Sequence, residues 1–148
     1  MPIVAKRWSA VAVVGLLLRL VLGALFVVAG VLKLRDPTKF ALEIGNYQLI
    51  HAGTGVLAAL LPPVEIVAGL AVIVLPRLWR QAAALLITLL VVVFSVAVGF
   101  AYFKGINIDC GCFGGAEGPI TAWTLVRNAS LFLTAATIFF IEAKPRRA

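Results

Sequence analysis

The chain of 148 residues is 63% apolar and only 13% charged, with a mean hydropathy of +1.11. Soluble domains are under half apolar and about a quarter charged, so these proportions exclude a water-soluble globule and leave one membrane-embedded domain over residues 1–148. The net charge of +7 sits in short basic clusters between apolar runs, which excludes a basic face for nucleic acid and suits a chain whose first partner is a lipid bilayer.

Four apolar stretches, 11–32, 55–75, 81–103 and 122–141, are long enough to cross a hydrocarbon core that needs about 20 helical residues. The expected fold is all-α, an integral membrane four-helix bundle. The first stretch is too long for a signal-peptide core and no small-residue cleavage site follows, so it reads as a span. Lys6, Arg7, Arg77, Arg80, Lys144, Arg146 and Arg147 fall on one side, against Lys33, Arg35, Lys39 and Lys104 on the other. The positive-inside rule then puts both termini in the cytoplasm of a multi-pass cell-membrane protein. Loops 33–54 and 104–121 face outward, the second carrying both cysteines. In the first of them, Asp36-Pro37-Thr38 is a helix-start signal, which predicts a short interfacial helix over 37–45.

At helical spacing each span shows one small or polar stripe. These are Arg19, Gly23, Phe26, Gly30 and Lys33; Ala58, Pro62, Glu65 and Gly69; Thr88, Ser95, Gly99 and Tyr102; and Trp123, Arg127, Ser130, Thr134 and Thr137. Small residues and hydroxyls of this kind build seams between membrane helices. A charge in mid-bilayer costs about 2.5–3.5 kcal/mol and needs a partner. Arg19, about 12 Å deep, and Glu65, about 15 Å deep, match in depth and are expected to pair. Pro62 and Pro63 predict a local break in the second span that turns carbonyls toward an interior cavity.

The most informative segment is Asp109-Cys110-Gly111-Cys112-Phe113-Gly114-Gly115. In an oxidising compartment a Cys-Gly-Cys bridge closes a small strained ring, and strain makes a disulfide a better oxidant. Such a bridge spans too short a loop to stabilise the fold much, so redox chemistry leads. Three other readings stand beside it: a structural disulfide, a metal site of Cys110, Cys112, His51 and Asp109, and inert packed thiols. His51, on the same side, is the candidate proton acceptor for a cysteine. Trp123 and Arg127, one turn apart on the stripe next to the motif, are the candidate quinone headgroup site. The indole would stack and the guanidinium would bond a carbonyl oxygen.

The marks Arg19-x3-Gly23-x2-Phe26-x3-Gly30-x2-Lys33, Asp36-Pro37 with Phe40 and Tyr47, Pro62-x2-Glu65-x3-Gly69 and Cys110-Gly111-Cys112-Phe113-Gly114 resemble the DoxX-like membrane proteins, and within them the MauE type associated with methylamine utilisation. The resemblance covers residues 19 to about 127. It implies a four-span protein tied to redox handling of exported proteins, beside a thioredoxin-like partner and a disulfide-rich client, with quinone as acceptor in some relatives. Arg19, Glu65, Cys110 and Cys112 carry over by motif; His51, Trp123 and Arg127 rest on the physical argument alone. The expected function is a membrane thiol–disulfide redox protein with a redox-active Cys110–Cys112 disulfide. The alternative is a non-enzymatic assembly factor or complex subunit that scaffolds a partner. A small-molecule transporter finds little support without inverted repeats.

Overall fold

Helix boundaries follow capping chemistry in the computed structural model, which describes residues 10–113 and 118–143. The helices are α1 (Ala10–Arg35), α2 (Pro37–Asn46), α3 (Thr54–Val74), α4 (Arg77–Phe103) and α5 (Ala122–Ala143). Asp36 separates the first two: its carboxylate accepts from the Lys39 backbone N–H at 2.9 Å, and Pro37 occupies the first turn of α2, where its missing donor costs nothing. The short predicted helix is therefore present. Helices α1, α3, α4 and α5 are each long and apolar enough to cross a membrane, and the chain is an all-helical multi-pass membrane protein. Lys6, Arg7, Lys144, Arg146, Arg147, Gly114 and Gly115 lie outside the described residues.

The four long helices form a ring in which α1 packs on α3, α3 on α4, α4 on α5 and α5 on α1. The tightest seam joins α1 to α3. A Cβ added to Gly23 would lie 2.6 Å from the Gly69 carbonyl oxygen, and one added to Gly69 would lie 2.6 Å from that of Gly23. Only glycine lets these two backbones meet. Leu22, Phe26, Val72, Ile87, Val91 and Ile138 fill the centre, while Val67, Val93, Val96 and Phe140 point outward, each more than 60% exposed. A second apolar cluster of Tyr47, Val98, Ala101 and Cys110 closes one end. There the cysteine loop is drawn together by an antiparallel bridge between Asp109 and Pro119, with Ile120 N–H donating to the Ile108 carbonyl at 3.1 Å.

The stripes of α1 and α3 are buried as expected: Gly23, Phe26, Gly30 and Lys33 on one helix, Ala58, Pro62, Glu65 and Gly69 on the other. Those of α4 and α5 are not. Helix α4 buries Ala83, Ala84, Ile87, Val91, Val98 and Ala101 instead, leaving Tyr102 40% exposed. Helix α5 buries Thr124, Asn128, Ala135, Ile138 and Glu142. The hydroxyls that suggested a seam satisfy themselves within their own helix. Thr88, Ser130, Thr134 and Thr137 each donate to the carbonyl four residues back, at 2.7–3.0 Å, so none needs a neighbour. The expected break at Pro62 and Pro63 is also absent, because α3 runs unbroken through both. Packing against α1, whose Gly30 lies over the Pro62 carbonyl, holds the segment helical despite two missing donors.

Candidate functional site

The loop between α4 and α5 folds back over the bundle mouth, and this sets the environment of the two sulfurs. Cys110 is 3% exposed and Cys112 half-buried; neither sulfur is in a disulfide. The Tyr47 hydroxyl, from the end of α2, donates to the Cys110 carbonyl, which ties the motif to the first loop. Burial, then the neighbouring Cys110 and Cys112 thiols, holds the Tyr47 phenol far above its ordinary range. It stays a donor. Gly111 between the cysteines has φ +68°, the left-handed region that glycine enters without a steric penalty.

Arg127 approaches from α5. Its Nη2 lies 3.4 Å from Cys110 Sγ, and its guanidinium stacks over the Phe113 ring at 5.4 Å. A cation beside a sulfur favours thiolate over thiol. Arg127 therefore turns inward to the motif, whereas Trp123, one turn earlier on the same helix, is 73% exposed. The two do not converge on a shared headgroup site.

The expected pair of Arg19 with Glu65 does not form. Glu65 is held by Lys33, whose Nζ donates to both carboxylate oxygens at 2.6 and 2.9 Å, with each side chain 2% exposed. Arg19 instead reaches Glu142 at 3.1 Å, at the opposite end of the bundle. Side chains on a helix lean toward its N-terminus. On the antiparallel α1 and α3, Lys33 and Glu65 therefore lean toward each other along the bundle axis, and Arg19 leans away from Glu65. Matching backbone depths missed this tilt. The Lys33 ammonium also lies over Phe94 at 4.7 Å and Phe40 at 5.1 Å, so flat faces complete its enclosure.

Two cavities meet the cysteine motif. One, of about 50 Å³, is lined by Lys33, Glu65, Cys112, Phe113, Arg127 and Asn128 among others, and has several times the ~10–15 Å³ that one water requires. The other, of about 200 Å³, is lined by Glu43, Tyr47, Phe94, Cys110 and Gly111 together with apolar side chains. His51 is exposed on the loop between α2 and α3 and belongs to neither lining. The alternative metal site of Cys110, Cys112, His51 and Asp109 is not assembled: among the described residues no three His, Cys, Asp or Glu side chains gather as ligands.

Besides Thr124, three buried polar residues are not singled out by the sequence. Asn128 is 3% exposed, lines the Cys112 cavity, and its amide nitrogen has no hydrogen-bond partner. Its position four residues beyond the buried Thr124 was the available signal. Glu43 is 7% exposed with both carboxylate oxygens unpartnered; it follows Phe40 by three residues and precedes Tyr47 by four, on the buried face of α2. Glu142 gathers Arg19, Arg80 at 3.2 Å and, through its backbone carbonyl, Arg77 at 2.7 Å. A lone acid amid a basic surplus at that end was its signal.

These features define a four-span membrane protein with a paired-cysteine loop packed over a mostly apolar bundle mouth that holds a few buried polar groups. The family described as "Methylamine utilisation protein MauE" matches residues 11–141, and the chain belongs to it. It is 32% identical over 131 residues to the methylamine utilization protein MauE of Paracoccus denitrificans, a match that covers 86% of this chain and 68% of that protein. No solved structure matches the chain.

Proposed function

We propose that this protein passes electrons between an extracytoplasmic thioredoxin-like or client protein and membrane quinone through Cys110 and Cys112, as part of a methylamine-utilisation system. The observation that carries the reading is the unequal setting of the two sulfurs. Cys110 is enclosed and held 3.4 Å from the Arg127 guanidinium, while Cys112 is half-buried and lines the cavity that leads to Lys33 and Glu65. One sulfur has a cation beside it, and the other faces a cavity. Arg77, Arg80 and Arg19 gather on Glu142 at the end opposite the cysteines, and Lys33 is withdrawn into the bundle. Both features support a cytoplasmic far end and an extracytoplasmic motif.

The residues lining the smaller cavity match a quinone headgroup in chemistry, but at about 50 Å³ the cavity must widen to admit a ring, since a cavity that binds benzene measures about 150 Å³. The Asn128 amide lacks an acceptor, Arg127 brings further donors, and Phe26, Phe94 and Phe113 supply flat apolar walls. A quinone bound there supplies a two-electron, two-proton acceptor, which matches a dithiol in electron count. Arg127 and Asn128 would hold a carbonyl oxygen of such a ring, and the enclosed Lys33–Glu65 pair would supply the polar wall. Trp123 and His51 take no part in this arrangement.

The scaffold alternative has one observation in its favour: Cys110 packs in an apolar cluster with Tyr47, Val98 and Ala101, as an inert cysteine would. Thiol alkylation and mass spectrometry on the purified protein separate the two. In the redox reading a quinone analogue removes both alkylation sites, a dithiol restores them, and Cys110→Ser abolishes the cycle. Arg127→Leu slows quinone-dependent oxidation about tenfold, equivalent to about 1.4 kcal/mol, and leaves the chain folded. Alkylation that responds to neither reagent, with methylamine-dependent growth retained by Cys110→Ser, overturns the redox reading in favour of a scaffold.

A further inference from the structure

Oxidising two thiols releases two protons, and the two sulfurs differ in how they can lose them. Cys112 is half-buried and exchanges with water. Cys110 is 3% exposed and needs an acceptor inside the protein. Arg127 is a cation without an acceptor atom; the Tyr47 hydroxyl donates to the Cys110 carbonyl and is held as a neutral phenol, which is no base for a thiol.

We infer that Glu43 is the proton-transfer residue for Cys110, taking its proton as the disulfide forms and returning it as the disulfide opens. The inference rests on the redox reading above. The carboxyl of Glu43 is 93% removed from solvent and neither oxygen has a hydrogen-bond partner. An ionised carboxylate so placed would be costly, and a structural one would be paired. Glu43 lines the same cavity as Cys110 and Gly111. It is also pressed onto the motif, since a Cβ added to Gly111 would lie 2.8 Å from Glu43 Oε2. The cavity of about 200 Å³ has room for a water between carboxyl and sulfur.

The charges around the carboxyl leave it poised. Burial raises its affinity for a proton, and Asp109 from the loop and Asp36 before α2 raise it further; Lys39 on α2 and Lys33 on α1 oppose them. Lys33 is engaged by Glu65, which is the single ionisable residue of α3. Tyr47 remains a neutral phenol. The result is a carboxyl that releases and accepts a proton above the ordinary carboxylate range, closer to where a thiol does so.

With a protein disulfide as co-reactant, the Cys112 thiolate attacks one partner sulfur; the partner S–S bond breaks and the first partner thiolate leaves, taking a proton from solvent. The Cys110 thiol then gives its proton to Glu43, and its sulfur electron pair forms the Cys110–Cys112 bond. The mixed disulfide breaks, and the second partner thiolate leaves with the bonding pair and takes a proton from solvent. The pair is oxidised, the partner disulfide is reduced, and Glu43, ionised at the start, ends protonated. It holds the Cys110 proton until the disulfide opens. The reverse direction uses the same groups.

The test uses the full chain in lipid nanodiscs. In a Cys112→Ser background, the rate at which Cys110 reacts with an aromatic disulfide is followed against pH, with and without Glu43→Gln. The expected result is at least a tenfold slower reaction at pH 7 in the Gln variant, a pH profile shifted toward that of an unassisted thiol, and partial recovery in Glu43→Asp. On the unmutated chain, the infrared difference spectrum between dithiol and disulfide states gains or loses a protonated-carboxyl band, a readout that needs no variant to fold. Unchanged rate and profile in a folded Glu43→Gln protein, or an unchanged carboxyl region in the infrared, overturns the assignment. Failure of the unmutated pair to cycle overturns the redox reading instead.

Discussion

The two ends of the bundle each bury a carboxylate, and they solve the problem differently. At the cysteine end Glu65 has one cation, Lys33, sealed with it at 2% exposure and roofed by Phe40 and Phe94. At the opposite end Glu142 serves three arginines, whose side chains are 16–35% exposed. The first arrangement balances one charge against one in a dry setting. The second has two positive charges in excess and remains wet, as suits a cluster at the lipid headgroup level, where interfacial cations are favoured. The comparison separates two settings for an ion pair: an enclosed cavity wall in one case, a partly exposed cluster at the end of the bundle in the other.

The largest effect is expected where the pair is driest. Glu65→Ala strands the Lys33 ammonium and should cost about 3–5 kcal/mol, read as lost yield of monodisperse protein and a lowered melting temperature. Lys33→Met with Glu65→Leu removes both charges and should recover most of that stability while damaging the Cys112 cavity. If the double variant is no better than Glu65→Ala, the two residues are not acting as partners. Glu142→Gln should cost less, about 1–2 kcal/mol, because Arg77 still bonds the backbone carbonyl and the other arginines reach solvent. That difference should shrink in high salt, where exposed charges are screened; a salt-independent loss would make the two ends alike.

The third buried carboxyl, Glu43, gives the smallest and oppositely signed effect. Its proton affinity is raised by burial above the ordinary value of 4.5, so the folded chain keeps a proton that the unfolded chain has released. Stability falls as pH rises from 4.5 toward the raised value and then levels off. Glu43→Gln removes that dependence and should melt higher than the unmutated protein at neutral pH, with no gain at pH 4. Thermal melts across pH check this. A uniform destabilisation would identify Glu43 as an ordinary packing residue.

The sequence made the long helices legible because apolar length has one physical meaning in a chain this hydrophobic. It also gave the start of α2, through Asp36 and Pro37, and the buried stripes of α1 and α3, where glycines leave no alternative to close approach. It failed where a polar residue has two ways to be satisfied. Ser130, Thr134 and Thr137 bond their own helix, so their regular spacing said nothing about a seam. Partner choice for Lys33 and Arg19 depended on side-chain tilt, which a count of residues along a helix omits. Around the cysteines the motif itself was visible, but Arg127 beside Cys110 was placed with the wrong companion, and Asn128 and Glu43 passed as ordinary polar residues. Their importance comes from buried atoms without a hydrogen-bond partner, the Asn128 amide nitrogen and both Glu43 carboxylate oxygens, a property that exists only after folding.

Phe94 belongs to the linings of both cavities, the one that meets Cys112 and the one that meets Cys110. Its ring is shared by the cavity that holds Arg127 and Asn128 and the cavity that holds Glu43 and Tyr47. The ring faces the Lys33 ammonium at 4.7 Å, and that ammonium is fixed by Glu65. A rotation about two bonds of one side chain would reshape both walls at once, and the cation that discourages it lines the Cys112 cavity alone.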